Sequence, residues 1–360
     1  MAPPKTTGLI TVVLRLFIAA ATGKALVSLY RIITTTAPDF AYYYEAAQEV
    51  TRRVSNPIHL LPPPSLLIFA PLSIMPYGLA QGIWVAVSFV CLIAVIWQVT
   101  AAAGIRDRWA RSGVTALAYL SFPTQFTLGM GQVNLIALWL LVISAVWETQ
   151  KKSIYASGLF ALAILLKPEL ILLVPVFLLA RRWKFVMGLV AFLGAAIVVS
   201  LMVFGVRAFT GYSERMSAAA AGWRDVGIYY NQSLSGLLSR MGDTGGNWYV
   251  GLSALIIAIT VYALIKRRAV FPQVLWETVP LFLLVEPIAW QHHFIFLIPT
   301  YLVLWKRKQS LGTAVYLAVS YFLVSLNFAA PGFLDTMPLG WLTLSHVTMG
   351  TLILWVMTLT

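Results

Sequence analysis

The chain is 360 residues long, 60% hydrophobic and only 10% charged, with a mean hydropathy of +0.85. That composition excludes a water-soluble globular domain and points to an all-α polytopic membrane protein, one integral membrane domain over 1–360. The formal net charge of +13 does not indicate nucleic acid, because the basic residues fall between apolar runs and not on one continuous polar surface.

A helix needs about 20 apolar residues to cross the hydrocarbon. On that measure the apolar runs predict about twelve spans, near residues 9–30, 79–103, 113–128, 131–148, 153–167, 168–181, 184–205, 248–265, 270–286, 290–305, 311–328 and 340–358. Several are shorter than a full crossing or broken by Pro168, Pro175, Pro280, Pro287 and Pro299. Such breaks are tolerated where protein or a wet cavity satisfies the freed backbone groups, so a cavity at membrane depth is expected. Arg15 and Lys24 inside the first run are expected to face protein or to snorkel. The single cysteine, Cys91, cannot form an internal disulfide and says nothing about compartment. Ala19-Ala20-Ala21 resembles a signal-peptidase site, but the apolar run continues beyond it, so an uncleaved first span is expected.

The expected topology sorts the charges. Arg106/Arg108/Arg111, Lys151/Lys152, Arg181/Arg182/Lys184, Lys266/Arg267/Arg268 and Lys306/Arg307/Lys308 fall on one side, which the positive-inside rule makes cytoplasmic. Asp39, Glu45, Glu49, Glu169, Glu214, Asp225, Asp243 and Asp335 fall at or near the other.

An outer loop over 31–78 follows the first span. Within it Phe40, Tyr43, Tyr44 and Ala47 recur at helical spacing, with Glu45, Gln48, Glu49 and Arg52 opposite, which predicts an amphipathic helix over 40–53 lying on the outer face. Pro62-Pro63-Pro64 then leads into a short apolar segment, and a second outer loop is expected over 206–247.

Asp39 is the first candidate for chemistry. Following Pro38 at the head of a helix, it could cap that helix, and a carboxylate in that position stays ionised and can accept a proton. Lys167, a cation before the helix-breaking Pro168, reads either as a snorkelling lysine or as a phosphate contact. His292 and His293 are adjacent and therefore diverge by about 100° on a helix, which is not a zinc pattern. Either of them suits a hydrogen bond to phosphate or sugar. The amides Gln132, Asn134, Asn231 and Gln232 offer donors and acceptors matched to sugar hydroxyls, and they equally suit loops and caps. His59 and His346 read as interfacial and structural, and since no second carboxylate adjoins Asp39, neither a metal nor another cofactor is expected.

Five segments in order carry a resemblance: Asp39-Phe40 with Tyr43-Tyr44 and Ala46-Ala47; Gly131-Gln132-Val133-Asn134; Ala163 to Lys167-Pro168; Asn231-Gln232-Ser233-Leu234; and Glu286-Pro287-Ile288-Ala289-Trp290-Gln291-His292-His293. Together they resemble the family 87 glycosyltransferases of the GT-C superfamily, with Gln291 standing where the family often has an acidic or other polar residue. The resemblance implies a GT-C-like fold and transfer of a sugar, mannose first, from a polyprenyl-phosphate donor to a hydroxyl on a lipid or glycan acceptor. It implies inversion with Asp39 as general base. Lys167, His292, His293, Gln132, Asn134, Asn231, Gln232, Tyr43, Trp290 and Arg52 are the implied contacts to donor phosphate and sugar. The expected location is the cytoplasmic membrane with the active site on its extracytoplasmic side, because nucleotide sugars stay in the cytoplasm. Two rivals stand beside this reading: an arabinofuranosyltransferase using a polyprenyl-phosphate pentose, and a lipid-linked sugar transporter or flippase, which would be expected to show repeat symmetry.

Overall fold

The computed structural model describes residues 7–52, 61–222, 226–243, 246–268, 270–307 and 309–360, and these contain helices but no strand. In chain order the helices are α1 (Thr7–Thr34), α2 (Pro38–Thr51), α3 (Pro63–Ser73), α4 (Tyr77–Ala102), α5 (Arg108–Leu120), α6 (Phe122–Met130), α7 (Asn134–Thr149) and α8 (Ser153–Leu166). A tight helical turn over Pro168–Leu173 leads into α9 (Val174–Leu179), α10 (Trp183–Phe204), α11 (Val206–Gly222), α12 (Leu234–Arg240), α13 (Asn247–Lys266) and α14 (Gln273–Val285). A second such turn over Gln291–Leu297 precedes α15 (Ile298–Arg307), α16 (Leu311–Ser325), α17 (Pro331–Asp335), α18 (Gly340–Leu344) and α19 (His346–Leu359).

Among the described residues four helical stretches are long and apolar enough to cross a membrane: Thr11–Thr51, Tyr77–Ala102, Trp183–Phe204 and Asn247–Lys266. The pair α6 and α7, bent by 115° at Gly131, makes a fifth if taken as one span. Six shorter apolar helices accompany them, so the expected count of about twelve becomes a mixture of full-length and broken segments. Prolines do the breaking. The stretch expected at 113–128 divides into α5 and α6 where Pro123 enters a new first turn, and those expected at 168–181 and 290–305 both begin as tight 3-10 turns. Outward-facing Met187, Val190, Val198 and Met202 on α10 give that helix a lipid-compatible surface.

Two expected segments take a different form. The helix expected over 40–53 forms as Pro38–Thr51, but Phe40, Tyr43, Tyr44, Ala46, Ala47 and Val50 are buried in the main core, so its apolar face is covered by protein. Arg53 and His59 lie outside the described residues. The loop expected over 206–247 instead contains α11 and α12. The run from Val206 to Gly222 is rich in good helix formers such as Ala, Arg, Glu and Met, which its polarity obscured.

Helix α4, about 39 Å long at 1.5 Å per residue, separates two chemically distinct ends of the molecule. At its start, Gln81 accepts from the Ala37 amide at 2.9 Å beside the head of α2. At its finish, the Arg111 guanidinium lies 4.6 Å from the Trp97 ring centroid and Lys306 donates to the Ala102 carbonyl at 2.6 Å. Neighbouring Arg307 joins Arg267 on the buried Glu277 carboxylate, at 2.8 and 3.0 Å, while Arg182 pairs with buried Glu148 at 3.7 Å. The basic clusters therefore gather at the end opposite Asp39.

Candidate active site

The first part of the site is built on the head of α2. Pro38 occupies the first helical position, where its missing N–H costs nothing, and Ala37 is the residue that precedes the helix. Asp39 thus sits inside the first turn and makes no cap hydrogen bond, contrary to the capping role its sequence position allowed. Its carboxylate instead accepts a hydrogen bond from the Gln132 side-chain amide. The Tyr43 hydroxyl, one turn further along α2, donates to Gln132 Oε1 at 2.8 Å.

Gly131 makes this contact possible. It ends α6 in the left-handed region at φ 70°, and a Cβ there would lie 2.7 Å from Phe40 Cβ and 3.0 Å from Ala37 Cβ. Only a residue without a side chain lets α2 approach so closely. The Trp84 indole donates to the Gly131 carbonyl at 2.8 Å and fixes the turn from the other side.

The second part lies at two helix breaks of the same kind. Lys167 ends α8 before Pro168, and Glu286 ends α14 before Pro287, both with the extended backbone that a following proline favours. The Lys167 ammonium, almost fully buried, lies 3.9 Å from the Glu169 carboxylate. Glu286, buried beyond the last turn of α14, meets His293 Nδ1 at 3.3 Å. Glu286 lies within electrostatic reach of Lys167. Lys167 also acts electrostatically on both His292 and His293. Tyr43 joins the two parts, since it stands within electrostatic reach of both Asp39 and Glu169.

A third set of residues braces these two. The segment 229–235 is stapled to 287–291: the Gln232 amide donates to the Ala289 carbonyl at 2.8 Å, the Gln291 amide to the Tyr230 carbonyl at 3.0 Å, and Asn231 and Trp290 form an isolated antiparallel bridge. The Asn231 side chain donates to Val226 and Pro287 carbonyls and accepts from the Ala289 amide. Gln232 donates to the carbonyls of Tyr229 and Leu344 at 2.6 and 2.7 Å. Both side chains are fully buried and engaged by protein. Asn134 donates to the His292 carbonyl at 3.1 Å, tying the Gly131 turn to the histidine segment, while its Oδ1 and His292 Nδ1 are buried without a protein partner. His346 bridges the Tyr229 hydroxyl and the Leu323 carbonyl, in keeping with a structural role.

The structure therefore brings Asp39, Tyr43, Gln132, Asn134, Lys167, His292 and His293 together, with Asn231, Gln232 and Trp290 in the adjoining brace. Arg52 is exposed at the far end of α2, some three turns from Asp39, outside this grouping. Glu169 and Glu286 belong to the grouping although sequence reasoning assigned them no role. The repeated pattern of a charged residue before a helix-breaking proline, Lys167-Pro168 and Glu286-Pro287, was the available signal for Glu286.

Glu169, Glu286 and His293 offer one ligand atom each within 4.8 Å of one another, a spacing that a divalent ion could bridge. Lys167 stands beside the same carboxylates, so the group also has a cation of its own.

The architecture is that of a helical membrane protein in which a carboxylate at one helix head and a buried lysine at the break of another belong to one linked group of side chains. The model of Glycosyltransferase family 87 matches residues 60–290, and the chain belongs to that family. It is 33% identical to the polyprenol-phosphate-mannose-dependent alpha-(1-2)-phosphatidylinositol pentamannoside mannosyltransferase of Mycolicibacterium smegmatis, over 68% of this chain and 60% of that protein. The protein of the same description from Mycobacterium tuberculosis is 28% identical, over 68% and 57%. An alpha-(1->3)-arabinofuranosyltransferase of Corynebacterium glutamicum is 27% identical, over 60% and 52%. The chain thus matches less than two thirds of the length of these relatives. No solved structure matches it.

Proposed function

We propose that this chain is a membrane glycosyltransferase that moves mannose from a polyprenyl-phosphate donor to a hydroxyl of a lipid or glycan acceptor, with inversion, at the extracytoplasmic face of the cytoplasmic membrane. The observation that carries this reading is the linkage of Asp39 to Lys167 through Gln132, Tyr43 and Glu169. Asp39, oriented by Gln132, takes the acceptor hydroxyl proton as the oxygen forms its bond to the anomeric carbon. The bond between that carbon and the phosphate oxygen breaks, and polyprenyl phosphate leaves with its electron pair. Lys167, a compact cation in a buried setting, stabilises the departing phosphate. Asn134 and the 229–235 brace hold His292 and His293 where they can complete the contacts to phosphate and sugar.

The mannosyltransferase relatives favour mannose, and the arabinofuranosyltransferase relative keeps a polyprenyl-phosphate pentose as the second reading. Purified protein given synthetic polyprenyl-phosphate mannose or polyprenyl-phosphate arabinofuranose, with a mixed mannosylated lipid acceptor, decides between them. Release of polyprenyl phosphate with the mannose donor alone is expected. Release only with the pentose donor would replace mannose, and release with neither under conditions where the protein remains folded would reject the transferase reading.

A further inference from the structure

One cavity away from the Asp39 site lies at the opposite end of the molecule, between α1, α4 and α5. It is a groove of about 500 Å³ whose walls are Ile18, Ala21 and Ala25 from α1 and Phe89 and Ile93 from α4, with Trp97 at its outer end. The α4 wall from Trp97 to Phe89 is about 12 Å long, and Tyr119 of α5 stands at the inner end. The walls are close because α5 packs tightly on α1, where Gly113 would bring a Cβ to 3.1 Å from Leu14.

The mouth of this apolar groove is basic. Arg106, Arg108 and Arg111 all line it. Arg111 is fixed by an Nε bond to the Ile105 carbonyl at 2.8 Å and by its position over Trp97. The Trp109 ring has Arg15 at 4.7 Å and Arg108 at 5.3 Å from its centroid. The one acid in the stretch, Asp107, accepts from the Ala110 amide of its own helix. Positioned guanidiniums match the paired oxygens of a phosphodiester better than free lysines would.

We infer that this groove is a binding site for an anionic glycerophospholipid, with an acyl chain lying between α1 and α4 and the phosphate at Arg106, Arg108 and Arg111. A basic surface alone attracts anionic lipid weakly and from any direction. Here an apolar groove ends at the charge, which makes the two halves of one amphiphile complementary to two adjoining surfaces. The inference is independent of the glycosyltransferase reading, since none of these residues belongs to the Asp39 site.

Native mass spectrometry of the full chain in a neutral detergent, titrated with phosphatidylglycerol or phosphatidylcholine of identical acyl chains, tests the site. Wild type is expected to retain one phosphatidylglycerol in preference to phosphatidylcholine. Each arginine near a membrane surface contributes roughly fivefold in affinity, so Arg108→Ala with Arg111→Ala should lower phosphatidylglycerol retention about 25-fold. Thr22→Phe, at an exposed position lining the groove, should lower retention of the same lipid while leaving every charge in place. Lys266→Ala with Arg268→Ala, at the same end of the molecule, should leave it unchanged. Equal retention of the two lipids by wild type, an equal loss in the Lys266 and Arg268 pair, or full retention by folded Thr22→Phe would overturn the site. Displacement of phosphatidylglycerol by equimolar polyprenyl phosphate would overturn the assignment to a glycerophospholipid.

Discussion

Gln132 lies 93 residues beyond Asp39 in the chain, yet its side-chain amide donates directly to the Asp39 carboxylate while its carbonyl accepts from Tyr43. One amide thereby orients the carboxylate and the phenol together. The amide can do so only because Gly131 lets α2 close onto the turn.

Asp39→Asn is expected to leave a folded protein that binds donor but transfers no sugar. The side chain caps nothing, and Asn preserves an oxygen that can accept from Gln132, so the change removes the proton acceptor with little else. General base catalysis accounts for about 10²–10⁴ in rate, and a single-turnover transfer assay beside a donor-binding measurement should show a loss of that order in rate alone. Near-normal transfer would mean that Asp39 is not the base.

Lys167→Ala should raise the donor KM and slow release of polyprenyl phosphate, and Lys167→Arg should restore part of both. Arginine keeps the charge but not the compact ammonium, so rescue by it separates an electrostatic role from a packing role. Unchanged kinetics in a folded Lys167→Ala protein would leave Lys167 as a partner of Glu169 with no part in donor binding.

Glu286→Gln should change the donor KM more than the rate of transfer. Glu286 is buried against His293 Nδ1 at 3.3 Å, so the amide keeps a hydrogen-bond partner for His293 while removing the carboxylate from the neighbourhood of Lys167. A donor KM identical in wild type and variant would show that the carboxyl does not face the donor.

Gly131→Ala should be among the most damaging small substitutions in the chain. The added methyl meets Phe40 Cβ at a distance a real Cβ does not tolerate and crowds Ala37 Cβ, and the backbone there has a positive φ. Either α2 moves away from Gln132 or the protein loses stability. A thermal unfolding curve read with the transfer rate should show at least one of these, whereas wild-type values in both would contradict the close approach of α2 to the turn.

Composition alone determined that this chain is helical and membrane-embedded, because so small a charged fraction leaves no way to solvate a compact domain of this size. The order of the five motifs carried the family, and the positions of the basic clusters anticipated their collection at the end opposite Asp39. Helix lengths were less legible, since an apolar run reads the same whether a proline leaves it whole, bends it or turns its first residues into a tighter helix, as at Pro123 and Pro168. Only the tertiary structure decided what surrounds each candidate side chain. Asn231 and Gln232 have the chemistry to meet a sugar, but the pairing of 229–235 with 287–291 engages their amides within the protein. Glu286 and Glu169 drew no role from their local sequence, and they acquire one because two distant proline breaks place them around Lys167 and His293. Local sequence sets where a backbone must break, whereas the company a side chain keeps depends on contacts between segments more than a hundred residues apart.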